Sequence, residues 1–323
     1  MNLKYVITSR NYNTKPFWDL VFEWEDVFSQ ALKLPFYYEK KNIYNRYIAR
    51  IPYVPTLLQT SEPAFRFDMN PLRNSDANNK SNIIPCIVDF YLRGDEKLNK
   101  FYKRYSKNKI VFVSSREVYD YLKSNNCPLN IQHLALSISD KFKISEHTNY
   151  EKKYDLVMMG RQNPVLLDFV KRYAASHKNF NYVYRIQKDG RFDYYTSDGQ
   201  IIGDVDTREK YMTLMQSGRV GLYSTPGMDG DENRTNGFNQ LTPRFLELIA
   251  CGCHIIARYP DNSDTNFFEL NKFCPSILTY SQFEEKMDYA LSAEVNMKQY
   301  SDYLTKHYTS VRCKQMLQAL TDI

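Results

Sequence analysis

Short apolar runs of strand length alternate along this chain with longer stretches in which apolar residues recur every three or four positions. The strand-like runs are Lys4 to Thr8 (KYVIT), Ile83 to Phe90 (IIPCIVDF), Lys109 to Ser114 (KIVFVS), Tyr154 to Gly160 (YDLVMMG), Asn181 to Ile186 (NYVYRI) and Arg219 to Ser224 (RVGLYS). Helical periodicity marks WDLVFEWEDVFSQAL, DEKLNKFYKRYSK, SREVYDYLKSNN, PVLLDFVKRYAASH and a stretch from about Thr207 to Ser217. Alternation of this kind predicts an α/β fold with doubly wound parallel sheets, whose ligands bind at the carboxyl ends of the strands. The Asn-rich stretch from Glu62 to Ser81 reads as loops. A polar, charged stretch from Ser139 to Lys153 reads as a linker, which gives domains at residues 1–145 and 146–300. After Ala293 the pattern predicts two helices, the last carrying Val311, Met316, Leu317 and Leu320 as its apolar stripe.

One segment, Thr235 to Asn262 (TNGFNQLTPRFLELIACGCHIIARYPDN), carries the most chemistry. It predicts a loop, a short helix, a Gly turn at Gly252 and a buried strand starting at His254. Phe245, Leu246, Leu248, Ile249 and Ala250 make the helix apolar nearly all round, yet Glu247 stands among them. An unpaired carboxylate there costs several kcal/mol. Arg244 is the expected partner, three residues upstream on the same face. Pro243 suits the first helical turn and Thr242 the cap before it, which turns the N–H groups of that turn toward an anion.

Thr242, Arg244, Glu247, Ala250 and Gly252 match the pattern T-x-R-x-x-E-x-x-A-x-G, and the segment resembles the nucleotide-sugar helix of GT-B glycosyltransferases of the group 1 type. The resemblance runs from about Tyr154 to Ala293, including the strand, Gly160-Arg161 turn and helix with which the second GT-B domain begins. It implies that Glu247 accepts hydrogen bonds from the donor ribose, that Thr242 and Arg244 lie near the phosphates, and that Arg161 contacts the diphosphate, an anion its fork of donors suits. It further implies two Rossmann-like domains facing across a cleft lined by Arg161, Asn239, Thr242, Arg244 and Glu247, with residues 301–323 packing back on the first. The nucleotide sugar is then a substrate, with no cofactor and no metal. The expected acceptor is a glycan or lipid-linked glycan, as in bacterial surface polysaccharide assembly.

The chain departs from the family pattern in three places. Asn239 stands where many group 1 enzymes have a second Glu. Gln162 to Leu167 contains no base where the family has a Lys, and Arg185 is either the substitute cation or a surface arginine. The first strand is followed by Ser9-Arg10-Asn11-Tyr12 instead of a Gly-rich loop. In the first half, Asp89 is the candidate general base for an acceptor hydroxyl, against a reading as a cap for the next helix or a partner of Arg93.

Two other functions remain open in the sequence. Asp204-Val205-Asp206 and Asp229-Gly230-Asp231 have the DxD spacing with which GT-A transferases bind a divalent metal, so Asp229/Asp231 define a metal-dependent alternative. Asn239 in place of a Glu also fits a GT-B-like nucleotide-binding subunit without catalysis. Non-hydrolysing epimerases share the fold, but their catalytic acidic and His residues find no convincing match.

Composition narrows the picture little further. The 323 residues are 43% hydrophobic, 25% charged and 15% aromatic, with a formal charge of +6, a profile of globular domains with no strong nucleic-acid signature. The basic run Lys103 to Lys109 ends a helix and reads as a solvated face, or as a surface for anionic lipid. Of the six cysteines only Cys251 and Cys253 are close, and C-x-C lacks the second ligand pair of a zinc site. Buried, reduced thiols, a strand at the N-terminus and the lack of a spanning apolar run predict a cytoplasmic protein, peripheral at most to the inner face of a membrane.

Overall fold

The computed structural model describes residues 2–13, 18–39, 62–72, 80–188, 191–230 and 232–321. They fall into two compact units, Met1–Asp140 with Tyr308–Ile323, and Lys141–His307.

The first unit runs β1 (Tyr5–Thr8), α1 (Asp19–Leu32), β2 (Phe36–Tyr38), β3 (Ala64–Asp68), β4 (Ile83–Ile87), α2 (Asp95–Tyr105), β5 (Val111–Val113), α3 (Arg116–Ser124) and β6 (Ile131–His133). The strands form one sheet in the order β2-β1-β3-β4-β5-β6, with every neighbouring pair parallel. β3, β4 and β5 are buried throughout, as strands covered on both faces must be. β3 corrects the expectation of loops from Glu62 to Ser81. Arg66 and Asp68 give AFRFD a surface-like composition, but they neutralise each other within the core. Arg66 Nε lies 2.7 Å from Asp68 Oδ1, and its Nη1 lies 3.0 Å from Glu39 Oε1. β2 and β6, of three residues each, were too short to leave a periodic signal.

The strand order reverses between β1 and β3. Beside it Thr8 Oγ1 donates to Glu25 Oε2 at 2.5 Å, and Arg10 Nη2 donates to the same oxygen at 3.3 Å. Burial outweighs both bonds and pushes the Glu25 carboxyl up to about 7.

The second unit continues with β7 (Tyr154–Val157), α4 (Pro164–Ser176), β8 (Tyr182–Lys188), β9 (Arg191–Thr196), β10 (Ile201–Asp204), α5 (Arg208–Gln216), β11 (Gly218–Ser224), α6 (Glu232–Thr235), α7 (Arg244–Ala250), β12 (His254–Arg258), α8 (Ser263–Phe267), α9 (Leu270–Phe273), α10 (Tyr280–Ser292) and α11 (Met297–Leu304). Its sheet order is β10-β9-β8-β7-β11-β12. β8, β7, β11 and β12 are parallel, while β9 and β10 add an antiparallel extension. That extension was not expected, although Asp189-Gly190 between two aromatic runs is a hairpin signal. Past β12, Ser276 adds one isolated parallel bridge to Ala257. Leu156, Leu166, Val170, Val220, Leu222, Phe283 and Met287 form the core between this sheet, α4 and α10.

The last helix, α12 (Thr309–Thr321), belongs to the first unit and packs on α1. Its buried side is Thr309, Arg312, Cys313, Met316 and Leu320; Leu317, expected in the stripe, is 42% exposed. Arg312 replaces it as the anchor, donating through Nε to Ala135 O at 3.0 Å.

Candidate functional site

Glu247 is buried on α7, but its partner is not Arg244. Arg208 Nη2, from the first turn of α5, makes an ion pair with Glu247 Oε1 at 2.5 Å. Tyr211, one turn further along α5, donates its hydroxyl to Glu247 Oε2 at 3.3 Å. Burial and the adjoining Glu247 carboxylate push the Tyr211 phenol up. The expected pairing fails because Arg244 turns away toward β7, where its Nη1 donates to Arg161 O at 2.9 Å.

The start of α7 also differs from expectation. Pro243, not Thr242, holds the N-cap position, and no side chain caps the helix. Thr242 instead donates its backbone N–H to the Tyr223 hydroxyl at 3.2 Å. Gly252 does end the turn, with φ of +58°.

Arg244 lies against Gly160. That glycine has φ of +64°, and a Cβ there would run into the Arg244 guanidinium. A tight glycine turn after β7 thus makes room for the cation. Arg161 is exposed on the next residue. Val157, the last residue of β7, pairs with Val183, so Arg185 lies beyond the carboxyl end of β7, beside β9. Its guanidinium sits over the Phe192 ring, 4.1 Å from the centroid. Burial first, and then the Arg244 and Arg161 charges, hold Arg185 below its ordinary range. Three guanidiniums therefore share one field at the carboxyl edge of this sheet. Among the described residues neither Arg185 nor Arg244 pairs with a carboxylate, and Arg244 Nε is buried without a hydrogen-bond partner.

The loop between β11 and α7 is tied down by residues the motif did not indicate. Asp229, at φ of +57°, accepts from Arg258 Nε at 2.5 Å, from Arg258 Nη2 at 3.0 Å and from Asn163 Nδ2 at 2.7 Å. Asn163 also caps α4, accepting from the Val165 and Leu166 N–H groups. Asn163-Pro164 was a legible cap-and-N1 signal. Asn239 Oδ1 accepts from Thr225 Oγ1 at 2.7 Å, and Asn262 Nδ2 donates to Asn239 O at 3.1 Å. Asn239 thus closes the base of the loop.

This geometry bears on the DxD readings. Asp229 is engaged by Arg258 and Asn163, and Asp231 lies outside the described residues. Asp204 and Asp206 both pair with Lys210, and the cap of α5 is Thr207. Burial works against ionisation of Asp229, but the Arg258 and Asn163 bonds outweigh it and hold the carboxyl below its ordinary range. A lowered folded pKa means that this stabilisation is present at neutral pH and fades as pH falls through the folded value. Asp229→Asn, which tolerates the left-handed backbone, leaves Arg258 without its counter-charge. It should cost on the order of 2–3 kcal/mol, somewhat below the fully buried case. Thermal unfolding midpoints of the two proteins should differ at pH 7 and draw together as pH falls through the lowered Asp229 value; a constant difference would mean that the charge is not the cause.

Asp89 lies in the other unit, two residues past β4, with its N–H donating to Met69 O at 3.2 Å. It does not cap α2, whose N-cap is Gly94. Arg93 lies over the Tyr121 ring at 5.2 Å. Cys251 and Cys253 are buried free thiols that donate to the Met212 and Met215 carbonyls. Among the described residues no helix is long and apolar enough to cross a membrane.

No family model matches the chain, and no curated protein matches it. Solved structures do. A glycosyltransferase from Rickettsia africae ESF-5 superposes with a TM-score of 0.52 at 11% identity, over 100% of this chain and 99% of that one. The S. aureus MnaA–UDP structure gives 0.52 at 11% identity, over 98% and 95%. The pneumococcal O-GlcNAc transferase GtfA gives 0.47 at 9% identity, over 80% of this chain. The match spans 56% of that transferase, little more than half its length. The fold is that of the GT-B glycosyltransferases, α/β with two mainly parallel six-stranded sheets.

Proposed function

We propose that this chain transfers a sugar from a nucleoside-diphosphate donor to a glycan or lipid-linked acceptor, and that the second unit holds the donor. The gathering of Arg161, Arg185 and Arg244 at the carboxyl edge of the β7–β8 sheet, beside α7, carries this reading. Guanidiniums gathered this closely repel one another, and a diphosphate relieves that repulsion with planar, two-point hydrogen bonds. Glu247 then accepts from the ribose hydroxyls, and Asn239 steadies the loop beside it.

The same cations suit the chemistry. An acceptor hydroxyl attacks the anomeric carbon, the bond from that carbon to the diphosphate oxygen breaks, and the acceptor proton passes to a base. The leaving nucleoside diphosphate gains one negative charge in this step. Arg185, Arg161 and Arg244 therefore bind the departing diphosphate more strongly than the intact donor, which lowers the barrier. Asp89 remains the candidate for the base.

Each of the uridine, guanosine, adenosine and cytidine diphosphate sugars, incubated with glycan and glycolipid acceptors, tests this by release of the nucleoside diphosphate. One donor class should be consumed only with acceptor present, and turnover should survive EDTA because arginines neutralise the diphosphate. Activity abolished by EDTA and restored by manganese would move that role to a metal. Binding without any acceptor-dependent release would favour the non-catalytic subunit.

A further inference from the structure

We infer that Arg208 and Tyr211 are positioning residues that turn Glu247 into a two-point acceptor for a vicinal diol, and that this unit sets a preference for ribonucleotide over 2′-deoxyribonucleotide donors. The inference rests on the donor-site reading above and extends it to two residues outside the motif.

Arg208 is badly placed for α5 itself. A cation in the first turn opposes the helix dipole. It is nevertheless held there between the Phe142 ring, at 5.5 Å, and the Tyr211 ring, at 5.3 Å, with only 10% of its side chain exposed. Tyr211 follows three residues later and so presents its hydroxyl on the same face, toward α7. The two groups engage different oxygens of one carboxylate, Arg208 at Oε1 and Tyr211 at Oε2. An ionised carboxylate offers about four lone-pair positions, two on each oxygen. Tyr211 takes one position on Oε2, while Arg208 meets Oε1 as an ion pair and not as a hydrogen bond, so each oxygen keeps room for a donor, the acceptor pattern that two neighbouring hydroxyls require. Arg208 also supplies the charge that keeps a carboxylate tolerable among Phe245, Leu246 and Leu248. Arg244, the other cation within reach on α7, is committed to Arg161 O. A 2′-deoxyribose leaves one of the two buried acceptors without its donor, and that loss, not a lost attraction alone, produces selectivity.

Isothermal titration with the uridine, guanosine, adenosine and cytidine diphosphates and their 2′-deoxy forms tests the unit. The wild type should bind one ribonucleotide roughly tenfold or more tighter than its deoxy form, as a site built to hydrogen-bond a hydroxyl does. Arg208→Met should bring that ratio below about threefold while the deoxy affinity changes little; Arg208→Lys should recover part of it, and Tyr211→Phe should fall between. Tyr211→Phe keeps the ring and helix, so it decides the question if Arg208→Met does not fold. Equal loss of ribo and deoxy affinity, with the ratio kept, would reduce Arg208 to a packing role and overturn the inference. The donor-site reading fails differently: none of the four nucleotides binds the wild type, or Glu247→Gln leaves both affinities unchanged, and either result overturns this inference with it.

Discussion

Glu247→Gln should weaken nucleoside diphosphate binding about 10–100-fold, since a hydrogen bond to a charged group is worth roughly 1.5–3 kcal/mol. Glutamine is the informative substitution because Glu247 is not a free-standing ligand-binding group. Its carboxylate neutralises Arg208 at 2.5 Å; glutamine and alanine both remove that counter-charge, at a cost in stability, but alanine also takes away the acceptor beside the guanidinium and opens a cavity. Glutamine keeps the side-chain volume and one carbonyl acceptor, so packing around Phe245 and Leu248 survives while the charged two-point acceptor is lost. Calorimetry reads the affinity and thermal unfolding reads the fold. A folded Glu247→Gln protein with wild-type affinity would remove Glu247 from the donor site.

A single methyl group at Gly160 should have an effect of similar size on binding. Alanine there must adopt a left-handed backbone, at about 1–2 kcal/mol, and its Cβ would occupy the place of the Arg244 guanidinium. The cation must leave Arg161 O, and nucleoside diphosphate affinity should fall about tenfold, roughly as in Arg244→Ala. Because both changes act on the same cation, the double variant should bind little worse than either single variant. Additive losses would show that Gly160 acts on the site by another route.

Much of the second unit was legible because its signals are local. β7, its glycine turn, α4, β11, α7 and β12 all appear at the expected places, since apolar runs, helical periodicity and Gly252 act within a few residues of themselves. β3 was not legible, because a strand buried on both faces has no alternation and its Arg66 and Asp68 look like surface residues until they are seen to pair. Nor was the start of α7, where Pro243 takes the cap position and the Thr242 N–H goes to Tyr223.

The sequence by itself determined the α/β class, the order of most elements and the presence of a carboxylate inside an apolar helix that had to find a cation. Backbone conformation and one-sided burial are properties of neighbours in the chain, so spacing encodes them. Only the tertiary structure decided which cation that is. Arg244 is three residues away yet reaches across to β7, whereas Arg208 comes from a different helix. Asp229, whose spacing suggested a metal ligand, is likewise claimed by Arg258 from β12 and by Asn163 from the start of α4. Charge pairing depends on distance through space between elements packed side by side, and desolvation there makes the strongest partner the nearest one, wherever it lies in the chain.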